Sequence, residues 1–529
     1  MAVIVISIWV LLALLPLLVI ALGRCSLWVL GRRLTAQTED RRDILQALLK
    51  RDLDLGSDEN VTDIDNGWGK VGTPPYQSHR EEWPGIIGFF HPFCNAGGGG
   101  ERVLWAAIAA TQQHYPKAVC AVYTGDHEME KTSTIETVKT RFDITLHPRS
   151  LHFIYLSKRH YVLASTWPRF TLLGQSIGSI LLAYEAFTFL VPDIFIDTMG
   201  YAFAVAFASY LFPRVPTAAY VHYPTISTDM LSSLDDTTGT KGIHSGAGTG
   251  WRGQAKKTYW HVFALLYAWS GRCIDVVMCN STWTANHIRQ LWSPTEPSIV
   301  YPPCPVHEIA AKVKLDATSS KDRDPAVLYV AQFRPEKNHS LILNAFANFF
   351  HAHASAFPDD NKPRLILIGS VRSNTPDEKH IYNLRLQAHE LKITDRTTFI
   401  TDAPFSLILQ HLQTSSIGVN GMYAEHFGIG NVEGLAAGLI PVVHNSGGVR
   451  EDIVVPFEGK DIGYKCETET DYADAFAEVM VEMDEEEKFE MRLRCRESSN
   501  RFTSEVFEEK WNEAMSRLVK IQTSKTRKR

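Results

Sequence analysis

Between Ile417 and His444 an apolar run, a glycine-bearing loop, a helix-compatible stretch, a stop glycine and a second apolar run follow one another. Residues 417–420 and 440–444 read as buried parallel strands, residues 428–437 as the crossover helix joining them, and Gly438 as the glycine that ends it. A strand–helix–strand unit of this kind commits the chain to a layered α/β architecture. Its loop and helix carry Tyr423-Ala-Glu-His-Phe-Gly-Ile-Gly-Asn-Val-Glu-Gly434, with Glu425 at the strand's carboxyl end and Glu433 eight residues later inside the helix. The amides of Phe427, Gly428 and Ile429 open that helix, where unpaired N–H groups and the dipole attract phosphate. One acid ahead of the phosphate position suits sugar hydroxyls, and the deeper one suits ribose. The spacing therefore fits a nucleotide-sugar.

The same alternation recurs along the chain. Strands are predicted at 86–91, 117–123, 151–156, 193–196, 217–222 and 275–279, with helices beginning near Glu101, Phe170, Tyr201 and Thr258. A second series follows at 327–331, 364–368, 398–400, 417–420 and 440–444. With 529 residues the chain is too long for one core. The expected division is a membrane anchor at 1–33, a polar tether at 34–82, a first doubly wound domain at 83–301, a Pro-rich linker at 302–325, a second such domain at 326–500, and a helix with a basic tail at 501–529. Residues 41–50 form an amphipathic piece within the tether.

Residues 1–23 hold no charged side chain, and 3–22 are almost wholly aliphatic, enough to span a bilayer. Arg24, Arg32 and Arg33 follow and place the carboxyl side in the cytosol. A cleaved signal peptide would begin with a basic region, absent here. Eight cysteines without metal spacing read as buried thiols in a reducing compartment. There the sequon at Asn280 never meets a glycosylation enzyme. Net charge of −6 gives no support to a nucleic-acid partner. Segments 170–191 and 259–274 are more apolar than a soluble helix needs; burial as crossover helices and insertion at a membrane surface are the two readings.

Further stretches narrow the chemistry. Gly88-Phe-Phe-His-Pro-Phe-Cys-Asn-Ala-Gly-Gly-Gly-Gly-Glu-Arg102 sets Asn95, Gly97, Gly98, Gly99 and Gly100 between a strand and a helix, a loop able to pass close to phosphate or acceptor. Tyr220-Val-His-Tyr-Pro224 ends a strand on His222, and Gln332-Phe-Arg-Pro-Glu-Lys-Asn-His339 follows another with Arg334 and Lys337, cations suited to a leaving diphosphate. With Val442-Val-His-Asn-Ser-Gly-Gly-Val-Arg-Glu451, these stretches resemble the GT4 class of retaining GT-B glycosyltransferases. Within that class they resemble the dolichol-pathway GDP-mannose α-1,2-mannosyltransferases. The resemblance covers roughly residues 83–503.

It implies a GT-B fold, two Rossmann-like domains facing a cleft, on the cytosolic face of the endoplasmic reticulum membrane. It also implies transfer of the fourth and fifth mannoses of N-glycan synthesis from GDP-mannose to Man3GlcNAc2-diphosphodolichol, alongside other dolichol-pathway mannosyltransferases. Glu425, His222 and Lys337 are the expected catalytic residues. Arg334, Lys337, Glu425, Phe427, Gly428, Ile429 and Glu433 are expected to hold the donor, and residues 95 and 97–100 the acceptor or phosphate. Many GT4 members carry arginine where this chain has Gln332, which shifts weight to Lys337. No metal or other cofactor is expected: the Asp52/Asp54 and Asp63/Asp65 pairs lie in the tether as solvated acids. No carboxylate stands out as a nucleophile for double displacement; the resemblance implies front-face retention. Another GT4 transferase with a different sugar or lipid, or a non-catalytic scaffold of this fold, are the alternatives.

Overall fold

Two parallel sheets carry the chain. In this computed structural model residues 2–55, 81–235, 250–372 and 375–527 are described, residues 2–21 by backbone alone. The first sheet consists of β1 (Ile86–Phe90), β2 (Val119–Thr124), β3 (Leu151–Tyr155), β4 (Ile194–Asp197), β5 (Thr217–Val221), β6 (Val276–Cys279) and β7 (Ser298–Ile299), in the order β3-β2-β1-β4-β5-β6-β7. The second consists of β8 (Asp324–Val330), β9 (Arg364–Gly369), β10 (Thr397–Thr401), β11 (Ser415–Asn420), β12 (Ile440–His444) and β13 (Tyr464–Cys466), ordered β10-β9-β8-β11-β12-β13. In each, the order reverses beside the first strand, and a crevice opens at the carboxyl ends of the strands.

Pleating divides each strand between two cores. Ile86 and Phe90 of β1 pack with α1 (Ala2–Leu55), α3 (Thr171–Phe189), α4 (Ala202–Leu211) and α5 (Gly250–Gly271). Ile87 and Phe89 face the other way, against α2 (Gly99–His114) and the final helix, α9 (Ser504–Arg527). That last helix follows the second sheet in sequence yet packs on the first: Trp511 is fully buried, stacks on Phe89 and donates its Nε1–H to Thr111 Oγ1 at 2.9 Å.

Two boundaries differ from the sequence reading. The polar stretch after residue 33 continues as helix α1 to Leu55 rather than starting a tether. Its Leu27, Leu30, Leu34, Thr38, Leu45, Leu49 and Leu53 form one stripe against the first domain. Arg42 fixes that stripe by an ion pair to Asp193 at 2.7 Å. Spacings of three and four hid this face among many charges. The 302–325 linker likewise holds two short helices, Val306–Lys312 and Ala317–Lys321, before β8 begins at Asp324. Residues 56–80, with Asp63 and Asp65, lie outside the described residues, as do the side chains of Asp52 and Asp54. All eight cysteines are free thiols; six are buried, while Cys25 is exposed and Cys273 half-buried.

The apolar segments are neither wholly buried nor wholly free. α3 is long and apolar enough to cross a membrane, yet half of it is inside the protein. Its one acid, Glu185, accepts from the Ser157 and Lys158 amides at 3.0 Å, tying α3 to the loop after β3. α5 buries Trp260, Phe263 and Tyr267. Its other side leaves Trp251 77%, Leu265 71% and Trp269 47% exposed, and Phe170, Leu181 of α3 and Trp28 of α1 are exposed as well. Arg32 lies over Trp28, Arg41 over Phe189 and Lys256 over Trp260.

Candidate active site

The crossover between β11 and β12 is α7 (Ile429–Ala437), capped by Gly428 at φ +102°, a backbone conformation that glycine adopts without strain. Its far end stops at Gly438, where two buried arginines and the half-buried Arg496 hold the last carbonyls. Arg323 donates to Ala437 O at 2.6 Å, Arg492 to Gly438 O at 3.0 Å and Arg496 to Ala436 O at 2.9 Å. Cations there complement the helix dipole and leave the amino-terminal end facing the crevice. The loop before α7 rests on the turn after β12. Gly448 N donates to Glu425 O at 2.7 Å, and Ala424 N to Ser446 Oγ at 2.7 Å. A Cβ on Gly447 would fall 2.3 Å from Glu425 O, so only glycine lets the two segments touch. Phe427 anchors the loop from below, its ring between Tyr301 and Phe502.

Glu425 is 8% exposed, and its Oε2 receives Lys337 Nζ at 2.5 Å and Asn420 Nδ2 at 3.4 Å. Burial pushes the Glu425 carboxyl up, but Lys337, His426 and Asn420 outweigh it and hold the group below the usual carboxylate range. Lys337 ends a short turn after β8, its carbonyl accepting from Tyr329 Oη at 2.7 Å. Glu425 and Lys337, expected to hold sugar and diphosphate respectively, pair with each other in this structure. The reason is electrostatic, since neither charge is stable alone in a buried crevice. Arg334 does not join them. Its guanidinium lies 4.0 Å from Glu336 on the flank.

Glu433 sits one helical turn into α7, half-buried, and burial raises its carboxyl to about 7 despite Arg102 of α2 nearby. Across the crevice, His222 follows β5 and shares Nε2 with Thr198 O at 3.2 Å. Burial lowers His222 to about 4, so the ring is neutral at physiological pH and donates that Nε2–H. The glycine-rich loop splits in two. Gly99 and Gly100 reach the crevice: a Cβ on Gly99 would lie 2.9 Å from Ile429 Cδ1, and one on Gly100 3.8 Å from His222 Nε2. Asn95, Gly97 and Gly98 contact Asp126, Arg141 and Glu101 respectively. The structure thus joins Glu425 to Lys337 and brings Gly99, Gly100, His222 and Ile429 together, while Arg334 faces Glu336.

Sequence reasoning did not single out His426, whose ring stacks on Tyr223 at 4.1 Å, or Asp452, buried at the junction of the two sheets. Their partners are more than 140 residues away, and spacing carries no signal of them.

Two family descriptions match the chain: ALG11 mannosyltransferase N-terminus over residues 84–292, and Glycosyl transferases group 1 over residues 312–501. The GDP-Man:Man(3)GlcNAc(2)-PP-Dol alpha-1,2-mannosyltransferase of Neurospora crassa is 50% identical over 87% of this chain and 84% of that protein. The chain belongs to the GDP-Man:Man(3)GlcNAc(2)-PP-Dol alpha-1,2-mannosyltransferase family. The human member is 43% identical over 82% of this chain and 87% of its own length. As a family member the chain is a glycosyltransferase. Sucrose-phosphate synthase from Thermosynechococcus elongatus has the same fold, with a TM-score of 0.58 at 15% identity, over 82% of this chain and 99% of that one. The architecture is that of the GT-B glycosyltransferases, two parallel α/β sheets.

Proposed function

We propose that this chain transfers mannose from GDP-mannose in α-1,2 linkage to Man3GlcNAc2-diphosphodolichol at the endoplasmic reticulum membrane, adding the fourth and fifth mannoses with retention and without a metal. The observation that carries the reading is the buried Glu425–Lys337 pair beside the amino-terminal end of α7, in a chain half identical to an enzyme named for that reaction. When the donor's diphosphate meets the amides of Gly428 and Ile429, Lys337 turns from Glu425 toward it. Charge-assisted bonds of about 1.5–3 kcal/mol stabilise the leaving group as charge grows. Glu425, released from one partner, accepts hydrogen bonds from mannose hydroxyls. Glu433 holds the ribose and Arg334 the outer edge of the diphosphate. Neutral His222, with Gly99 and Gly100, closes the site from the first domain. In front-face retention the leaving phosphate oxygen takes the proton of the attacking hydroxyl. No metal is needed because Lys337, Arg334 and the α7 dipole supply the positive field.

The uncharged start of α1 anchors the chain with its sheets in the cytosol. The exposed Trp28, Trp251, Leu265 and Trp269, set among arginines and lysines, rest on the lipid surface that carries the acceptor, where amphipathic aromatic rings are favoured. Other mannosyltransferases of the same pathway are the expected neighbours. The test is incubation of the purified chain with radiolabelled GDP-mannose and a synthetic lipid-linked Man3GlcNAc2 acceptor. Two added hexoses, both released by an α-1,2-mannosidase, are expected. Transfer from UDP-glucose but not GDP-mannose would overturn the reading.

A further inference from the structure

Two contacts cross the crevice beside Glu425, and the catalytic roles above use neither. His426, in the loop of the second sheet, stacks on Tyr223 after β5 with ring centroids 4.1 Å apart and planes 28° apart. Trp283 lies on the same stack, 5.7 Å from His426 and 6.2 Å from Tyr223, and His287 closes its edge at 4.2 Å. The second contact is Asp452, 2% exposed, in the turn after β12. Its carboxylate accepts from Thr282 N at 2.8 Å, from the Thr282 hydroxyl and from Tyr301 Oη at 2.9 Å. Thr282 opens α6 (Thr282–Leu291) of the first domain, so a carboxylate of the second domain caps a helix of the first. Asn286 of α6 also donates to Glu451 at 3.2 Å.

Both contacts bear on the same loop. His426 adjoins Glu425 in the chain, and the turn that carries Asp452 begins at Gly447 and Gly448, the glycines against which Glu425 and His426 rest. Any opening of the crevice breaks the stack, uncovers the buried Asp452 carboxylate and releases the segment that aims Glu425.

We propose that His426 is a positioning residue for the transfer reaction: stacked on Tyr223 and Trp283, it locks the Glu425 loop onto the first domain, and Asp452 completes the lock by capping α6. It is the face of the ring, not its nitrogens, that makes the lock. This inference rests on the mannosyl-transfer reading for its kinetic arm alone.

The experiment compares the full chain with His426→Ala, His426→Phe, Tyr223→Ala and the Tyr223→Ala/His426→Ala pair. His426→Ala is expected to lower kcat about a hundredfold, as a small displacement of a catalytic group does, with GDP still raising the melting temperature as in the parent chain. His426→Phe, which keeps the stack, is expected to restore kcat to within about threefold. In melting temperature, measured without turnover, the double variant is expected to lose much less than the sum of the two single losses. Parent-like kcat in His426→Ala, a His426→Phe variant as slow as His426→Ala, loss of the GDP response in His426→Ala, or additive melting losses would each overturn the proposal. A parent chain that transfers no mannose while the melting losses stay coupled would count against the activity reading and leave the lock standing.

Discussion

Glu433 and Glu425 are two carboxyls on one loop and helix with opposite fates. Lys337 keeps Glu425 ionised, while Glu433 has no such close partner and burial raises it to about 7. In the unfolded chain Glu433 returns to its ordinary value of 4.5. The folded form therefore binds more protons between those two values, and stability falls as pH rises through that window. Glu433→Gln is expected to leave the melting temperature unchanged at pH 3.5, where the group is neutral in both the folded and the unfolded chain, and to raise it at pH 8. Calorimetry at both values checks this. On the proposed ribose contact the same variant is expected to raise the donor KM when assayed at pH 8, because the amide offers one acceptor oxygen where the carboxylate offers two. Lys337→Ala is expected to be worse for the fold than Glu433→Gln. It strands the buried Glu425 charge at a cost of about 3–5 kcal/mol, measurable by urea denaturation. At this scale the sequence was half legible. Glu425, Lys337 and Gly428 followed from residue type at strand ends, but the pairing of Glu425 with Lys337 arises only when β8 and β11 lie side by side.

The α7 crossover depends on both of its ends. Gly428 opens it at positive φ, and Arg323, Arg492 and Arg496 close it at the other end. Arg492→Ala removes donors from the Ser416 and Gly438 carbonyls, both buried. It is expected to cost about 1–3 kcal/mol for each carbonyl left unsatisfied, read as a lower melting temperature, with GDP binding weakened because the helix end shifts. Eleven strands were legible from apolar runs flanked by turn residues. β7 and β13 were not, being edge strands of two and three residues that gain their structure from a neighbour. Helix α1 past residue 33 was missed for another reason. Its leucines are spaced by three and four among so many charges that the stretch reads as solvated, and the face emerges only against α3 and α4.

Among the described residues the two sheets are joined through residues 300–323, through α9, and through cross-crevice contacts that include those of His426 and Asp452. α9 gives the second domain's chain end a place in the first domain's core. Trp511→Ala should therefore destabilise the protein by about 3–5 kcal/mol, although Trp511 lies far in sequence from the strand it covers. Urea unfolding followed by tryptophan emission checks it. The GT-B plan was legible in the alternation of strand and helix, while the docking of the domains was not, since it rests on single residues from distant segments. On the proposed lipid contact of α5, Leu265→Asp with Trp269→Asp should reduce sedimentation with anionic vesicles and leave GDP binding untouched.

The central claim is that Glu425, aimed from the loop before α7, reads the donor's sugar while the helix end and Lys337 hold its diphosphate. The most direct measurement is transfer of labelled mannose to the lipid-linked acceptor by Glu425→Ala, with GDP affinity determined on the same sample. Transfer is expected to fall by about a thousandfold with GDP affinity within about threefold of the parent. Transfer at the parent rate would contradict the claim.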